Sequence, residues 1–233
     1  MTYVKYARTY HVPHSPGTQS DDRLLKSLDH LLGQPVVITE KMDGENTSMY
    51  TDHIHARSLD SAHHESRNWV KKFHGSIAHD IPPGWRVCGE NMYAKHSIYY
   101  EDLKSYFYGF SIWSDNNICL GWTATCMFFE LLGIEPVPVL FEGILTLDVL
   151  ADIEAKLDLT KQEGYVIRKS GEFRYEDFAT SVAKWVRPKH VATSKHWMQE
   201  AIVPNKLSYD TPCASFKARL PLSSQDDNLG RII

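Results

Sequence analysis

Apolar and polar positions alternate along the chain in short blocks, and the period of each block predicts its conformation. Residues 20–32 open on Ser20-Asp21-Asp22, a helix-start signal, and then set Leu24, Leu25, Leu28, Leu31 and Leu32 at helical spacing before Gly33. A helix is expected there. Residues 35–40 (PVVITE) are β-branched and predict a strand, and Lys41-Met42-Asp43-Gly44 after it carries an Asp-Gly turn signal. Short strands are expected at 47–50 and 53–57. Helical spacing returns over 65–79 through Trp69, Val70, Phe73 and Ile77, until Pro82-Pro83-Gly84 breaks it. Strands follow at 85–90 and, strongly aromatic, at 106–113. Helices are expected over 123–132 and 146–157, strands at 164–168 and 182–186, and a last helix over 192–202. Helices interspersed with short strands joined by tight turns predict an α+β fold built on antiparallel sheets.

Length and composition narrow the classes. At 233 residues the chain holds one domain, or one plus an appendage. With 42% hydrophobic and 23% charged residues it is neither collagenous, nor a coiled coil, nor wholly disordered. The apolar stretches 123–132 and 134–141 are too short to span a bilayer, and the first ten residues lack the apolar core of a signal peptide. No membrane partner is expected. Cys88, Cys119, Cys126 and Cys213 form no CxxC pair, and the twelve histidines have no companion cysteines at zinc-ligand spacing. A reducing, cytoplasmic setting without structural zinc is the expectation. The net charge of −4 excludes an all-over basic surface but not a local one. Between residues 184 and 219, seven cations (Lys184, Arg187, Lys189, Lys195, Lys206, Lys217 and Arg219) face only Glu200 and Asp210. That stretch suits a nucleic-acid backbone.

Lys41 is the sharpest chemical feature. A lysine at the end of a buried strand beside a tight turn can be presented into a cleft, where desolvation and neighbouring cations lower its pKa and free its lone pair as a nucleophile. The same tetrapeptide also suits a plain surface hairpin. Further along come Arg57, Gly89-Glu90 at a strand end, the aromatic strand through Phe110, Glu163-Gly164-Tyr165-Val166-Ile167-Arg168-Lys169, and Val182-Ala183-Lys184-Trp185-Val186-Arg187. In this order they resemble the motifs of the covalent nucleotidyltransferase superfamily of ligases and capping enzymes, and most closely the RNA ligase 2 branch of ATP-dependent RNA ligases. The resemblance covers about residues 8–197.

The resemblance implies an adenylyltransferase domain with a nucleotide pocket between its sheets. Lys41 would attack the ATP α-phosphate and form a lysyl-AMP. The AMP would pass to an RNA 5′-phosphate, and a 3′-hydroxyl would then displace it. Glu40 and Asn46 would help hold the nucleotide, and Arg57, with its planar fork, suits ribose and phosphate oxygens. Glu90 would accept from a ribose hydroxyl. Phe110 would stack on adenine, with ordinary core packing as the competing reading. Glu163, a carboxylate near phosphates, would carry Mg²⁺ or Mn²⁺. Lys184 would neutralise the α-phosphate as charge builds there. Where the family has Lys-x-Lys, this chain has Val186; the next cation, Arg187, falls on the opposite strand face unless a bulge re-aims it. The loop His11-Val12-Pro13-His14-Ser15-Pro16-Gly17 would either contact adenine or cap the sheet. Residues 1–190 are expected to form the nucleotidyltransferase domain and 191–233 a short extension without a separate OB domain. Self-adenylylation is then expected to be robust, and sealing weaker or dependent on an accessory RNA-binding protein or domain. A DNA ligase, a capping-type enzyme of the same fold, or a non-catalytic nucleotide- or RNA-end-binding module remain alternatives.

Overall fold

The computed structural model describes residues 2–188 and 201–208. Twelve strands and three α-helices are named here in chain order: β1 (Tyr10–His11), β2 (Pro35–Glu40), β3 (Glu45–Met49), β4 (Ile54–Ala56), α1 (Asn68–Ile77), β5 (Arg86–Asn91), β6 (Phe107–Trp113), β7 (Ile118–Cys119), α2 (Trp122–Leu132), β8 (Glu135–Pro136), β9 (Val139–Ile144), α3 (Leu147–Lys156), β10 (Gly164–Lys169), β11 (Phe173–Arg174) and β12 (Val182–Val186). They form two sheets. The first has the order β1-β12-β10-β2-β9, and the second runs β11-β7-β6-β5-β3-β4 with β8 beside β6. Pairing is antiparallel except for β1 with β12 and β6 with β8. The α+β expectation holds.

Period-two alternation explains how the sheets stack. On β2, Val36 and Ile38 join Tyr165, Ile167, Ala183 and Trp185 in a core under α3, whereas Val37 belongs to the core shared with Met92 and Tyr108 of the second sheet's side. On β12, Ala183 and Trp185 point to that α3 core, which leaves Lys184 on the opposite face. The second sheet is covered by α1 and α2, through Val70, Ile77, Phe129 and Leu132 against Val87, Phe107 and Ile112. The facing surfaces of the two sheets are therefore free to enclose a cleft.

Helix ends follow local chemistry. Thr146 caps α3 by accepting from the Val149 N–H at 3.2 Å, and α2 stops at Gly133, which sits at φ 66°.

The helix expected over 20–32 does not form. His11 donates its N–H to the Arg23 carbonyl (2.7 Å) and accepts from the Leu25 N–H (2.8 Å), so residues 23–25 continue the sheet edge beyond β1. Backbone groups engaged this way cannot close helical turns. Leu28 and Leu31 are buried, but Leu24 is exposed; the leucine spacing reports burial, not helicity. Strand β9, at the far edge of the first sheet, was not expected. The helix expected over 192–202 lies, except for its last two residues, outside the described residues, as do Lys189, Lys195, Lys217 and Arg219 of the basic stretch. Among the described residues no helix is long and apolar enough to cross a membrane.

Candidate active site

A cavity of about 230 Å³ opens between the sheets. The first sheet contributes Thr39 and Glu40 of β2, Val166 and Arg168 of β10, and Val182 and Lys184 of β12; the second contributes Asn46, Glu90, Phe110, Ser111, Cys119 and Phe173. Lys41 and Met42 follow β2, Arg57 follows β4, and residues 6–9 with Asp22 close one side. An apolar set suited to a flat ring (Met42, Phe110, Val137 and Val166) thus shares one cleft with a set of charges.

Each charge has a structural reason for its position. Lys41 is anchored by its own N–H, which donates to the Gly164 carbonyl at 2.9 Å. Its ammonium pairs with Glu163, which precedes β10 and is 5% exposed. Asp43, two residues beyond Lys41, is held by three donors on a single oxygen: Ser97 N (2.8 Å), Ser97 Oγ (2.6 Å) and Ile98 N (2.8 Å). Gly44 lets the chain pass close to β5, because a Cβ there would meet the Asn91 carbonyl oxygen at 2.6 Å. Glu90 lies just past a register shift in the β5–β6 pairing, at Cys88/Gly89. Asn46 faces the cavity with a buried Oδ1 that has no partner among the described residues.

The electrostatics correct one expectation. Burial acts to lower the Lys41 pKa, but the carboxylates of Glu163, Glu90 and Asp43 outweigh it, and the ammonium is held above its ordinary value. The amine is not pre-depressed. Lys184 is the lysine pushed down, by burial first and by Lys41 second, although Asp22 and Glu163 oppose the shift. Burial drives the Glu90 carboxyl up to about 8, with the neighbouring Glu163 and Asp43 adding to it against Lys41.

Glu90 supplies a stability prediction. With an ordinary value of 4.5 and a folded value of about 8, the folded chain holds more protons than the unfolded one between those limits. Stability from this group is present below the lower value and is lost as pH rises through the upper one. Glu90→Gln removes the effect. Wild-type Tm should therefore fall relative to the Glu90→Gln variant between about pH 5 and about pH 8, by on the order of 5 °C. Thermal melts across that range check it, and parallel curves would remove the assignment.

The structure brings Glu40, Lys41, Asn46, Arg57, Glu90, Phe110, Glu163 and Lys184 to one cleft or its immediate wall. Arg187 is not among them. The β10–β12 register runs unbroken from Gly164↔Val186 to Arg168↔Val182, so no bulge re-aims it. Its guanidinium donates to the Leu159 carbonyl (2.9 Å) and Ser97 Oγ (3.4 Å), outside the cavity lining. Residues 11–17 do not line the cavity either. Ser15 Oγ accepts from the Val186 N–H at 3.0 Å, so this loop caps the first sheet.

Three charged residues that line the cleft are not among the expected site residues: Arg8, Asp22 and Arg168 of β10. Arg8, bound to Asp21 at 2.9 Å, lines the cleft beside Arg57. Asp22 also lines it, 3.6 Å from the Lys184 ammonium and 3.2 Å from His11 Nε2. Together with Arg57 and Arg168, Arg8 gives the cleft cations other than a second lysine on β12. The sequence holds no signal for Asp22 once residues 20–32 are read as a helix.

The fold is similar to that of solved RNA ligases. A Naegleria gruberi RNA ligase with PPi shares 20% identity at a TM-score of 0.51, over 80% of this chain and 61% of that one. An archaeal ATP-dependent RNA ligase shares 15% identity at a TM-score of 0.51, over 70% of this chain and 45% of that one. A variant of the Naegleria gruberi ligase with ATP and Mn aligns at 20% identity with a TM-score of 0.44, over 69% of this chain and 51% of that one. The chain thus spans about half the length of the ligases it resembles. No curated protein sequence matches it. The family model described as RNA ligase matches residues 34–186, which run from β2 to the end of β12 and carry Lys41, Glu90, Glu163 and Lys184. That match covers well over half of the sequence, and the chain belongs to the RNA ligase family.

Proposed function

We propose that this chain is an ATP-dependent RNA ligase that joins 5′-phosphate and 3′-hydroxyl ends through a lysyl-AMP intermediate on Lys41. The carrying observation is the Lys41 amine against the buried Glu163 carboxylate, in a cleft that also holds Lys184. In the first step Nζ loses a proton and attacks the α-phosphorus of ATP. The N–P bond forms as the bond to the β-phosphate bridging oxygen breaks, and pyrophosphate leaves. Lys184 faces the cleft to meet the charge that builds on the α-phosphate, and Arg57 and Arg8 suit the remaining phosphate and ribose oxygens. Phe110 and the valines beside it suit the base.

A divalent ion fits the donors present. Glu163, Glu90 and the unpartnered Asn46 Oδ1 are oxygen ligands of the type Mg²⁺ and Mn²⁺ prefer. Among the described residues no group of three or more His, Cys, Asp or Glu side chains could hold a metal by itself, so phosphate oxygens would complete its shell. When bound, such an ion offsets phosphate charge. Glu163 holds Lys41 as ammonium, and engaging that carboxylate elsewhere removes the largest influence raising the amine's pKa.

Residues 1–190 form the adenylyltransferase unit in this reading, and RNA docking draws on the extension or on an accessory partner. The three described cysteines are free thiols, which suits a reducing cytoplasmic setting. Incubation with radiolabelled ATP and Mg²⁺ or Mn²⁺ should yield a covalent protein–AMP band, with no band from GTP and preferential sealing of RNA over DNA nicks. ATP binding without covalent label would favour a non-catalytic module. A GMP band or DNA preference would move the chain to the capping or DNA-ligase branches.

A further inference from the structure

Residues 201–208 lie outside the family-matched stretch, yet they are bonded tightly to the loop between β5 and β6. Asn205 is 1% exposed. Its Oδ1 accepts from the Tyr100 N–H at 3.0 Å, and its Nδ2 donates to the carbonyls of Met92 (2.8 Å) and Ala94 (3.4 Å). Its backbone N–H donates to the Tyr93 carbonyl at 2.9 Å, and its carbonyl accepts from the Tyr106 hydroxyl at 2.9 Å. Flanking residues add further bonds: Lys95 N to the Val203 carbonyl, Lys206 N to the Tyr100 carbonyl, and Leu103 N to the Lys206 carbonyl.

The other side of the same loop grips the nucleophile's turn. Ser97 and Ile98 supply the three donors on Asp43 Oδ2, and the Tyr100 hydroxyl accepts from the Asp43 N–H at 3.1 Å. Tyr100 is the shared member, since its N–H is bound by Asn205 and its hydroxyl by Asp43. A buried amide with both ends engaged fixes the shape of the loop around it, and a displacement of an ångström at a reacting group is enough to slow chemistry strongly.

We propose that Asn205 is a positioning residue: through the loop 92–106 it holds Asp43, and with it Lys41, in the attacking geometry. The inference rests on the adenylyl-transfer reading of Lys41, so wild-type labelling is measured first. In Asn205→Ala, the labelling rate at saturating ATP should fall about tenfold, while the ATP dissociation constant stays within about twofold. Hydrogen–deuterium exchange in the ligand-free protein should speed up at the Ser97 and Ile98 amides. Combining Asn205→Ala with Ser97→Ala should slow labelling by less than the product of the single effects, because both act through one loop. If Asn205→Ala does not fold, Tyr106→Phe loosens the same segment, and a smaller change of the same kind is expected. The inference is overturned by unchanged labelling and unchanged exchange at 97–98, or by loss of ATP affinity at an unchanged saturated rate. If the wild type takes no label, the ligase reading fails. The exchange arm then still decides whether Asn205 holds the Asp43 turn.

Discussion

Lys41→Ala is expected to take no covalent AMP label at all, while still binding ATP. The reason is stoichiometric: in the proposed reaction the Lys41 amine is the atom to which AMP attaches, and among the described residues no other lysine can substitute without moving. Among the described residues Lys184 is the other lysine in the cleft; it lies on β12, whereas Lys41 follows β2, and its amine sits 3.6 Å from Asp22. The substitution also leaves Glu163 buried without its cation, a situation that costs on the order of 3 kcal/mol when the group stays ionised. A lower Tm is therefore expected. Lys41→Arg separates the two effects, because a guanidinium keeps the charge but is not a nucleophile at neutral pH. It should restore much of the Tm and none of the label. Label on either variant sinks the assignment of Lys41.

The second large effect is expected from Gly164→Ala. Gly164 adopts φ 155°, and a Cβ there would meet the Trp185 carbonyl oxygen at 2.0 Å, the Trp185 carbonyl carbon at 2.9 Å and Val186 Cα at 3.1 Å. All three are backbone atoms of β12 and cannot rotate aside. The strands must separate, which breaks the pairing of Gly164 with Val186 and disturbs the bond from Lys41 N to the Gly164 carbonyl. A loss of about 3 kcal/mol or more, read as a Tm drop of roughly 6–12 °C, is expected together with slower labelling. Gly171→Ala is the matched control. Among the described residues nothing lies within 4 Å of its added Cβ, and its φ is not positive, so its Tm should stay near wild type.

The parts of the fold that sequence could carry are those whose signal is local. The β-branched run of β2 and the strand β12 have the same bounds in sequence and structure, and α2 ends at the glycine that predicts it. The failures are non-local. Residues 20–32 have a helix's leucine spacing, but the Arg23 carbonyl and the Leu25 N–H are both bound by His11, so pairing overrides the pattern in the middle of the stretch. Among the described residues β9 has one neighbour, β2, and it has no fully buried side chain, so it lacks the apolar alternation that marks a strand. The site divides the same way. Lys41, Asn46, Glu90, Glu163 and Lys184 were legible because each sits in a short motif of its own. Asp22 and Arg8 sit in irregular chain whose position depends on contacts with distant residues. The direction of the Lys41 pKa was illegible for that reason too. The carboxylate that raises it most lies 122 residues away in sequence.

The parallel pairing of β1 with β12 carries a consequence for how the protein is made. Tyr10 and His11 lie beside Ala183 and Lys184, and β10 joins β12 to β2, so the first sheet is closed by one of its last strands. During synthesis the first forty residues leave the ribosome long before their partners exist, and His11 stays without its strand until β12 emerges. Such long-range closure makes folding slow compared with locally connected folds. A nascent chain stalled before residue 182 lacks Lys184 and the strand that frames Glu163. The cleft should first accept nucleotide only when translation has passed β12, so ATP binding by ribosome-bound chains of graded length would date the birth of the site.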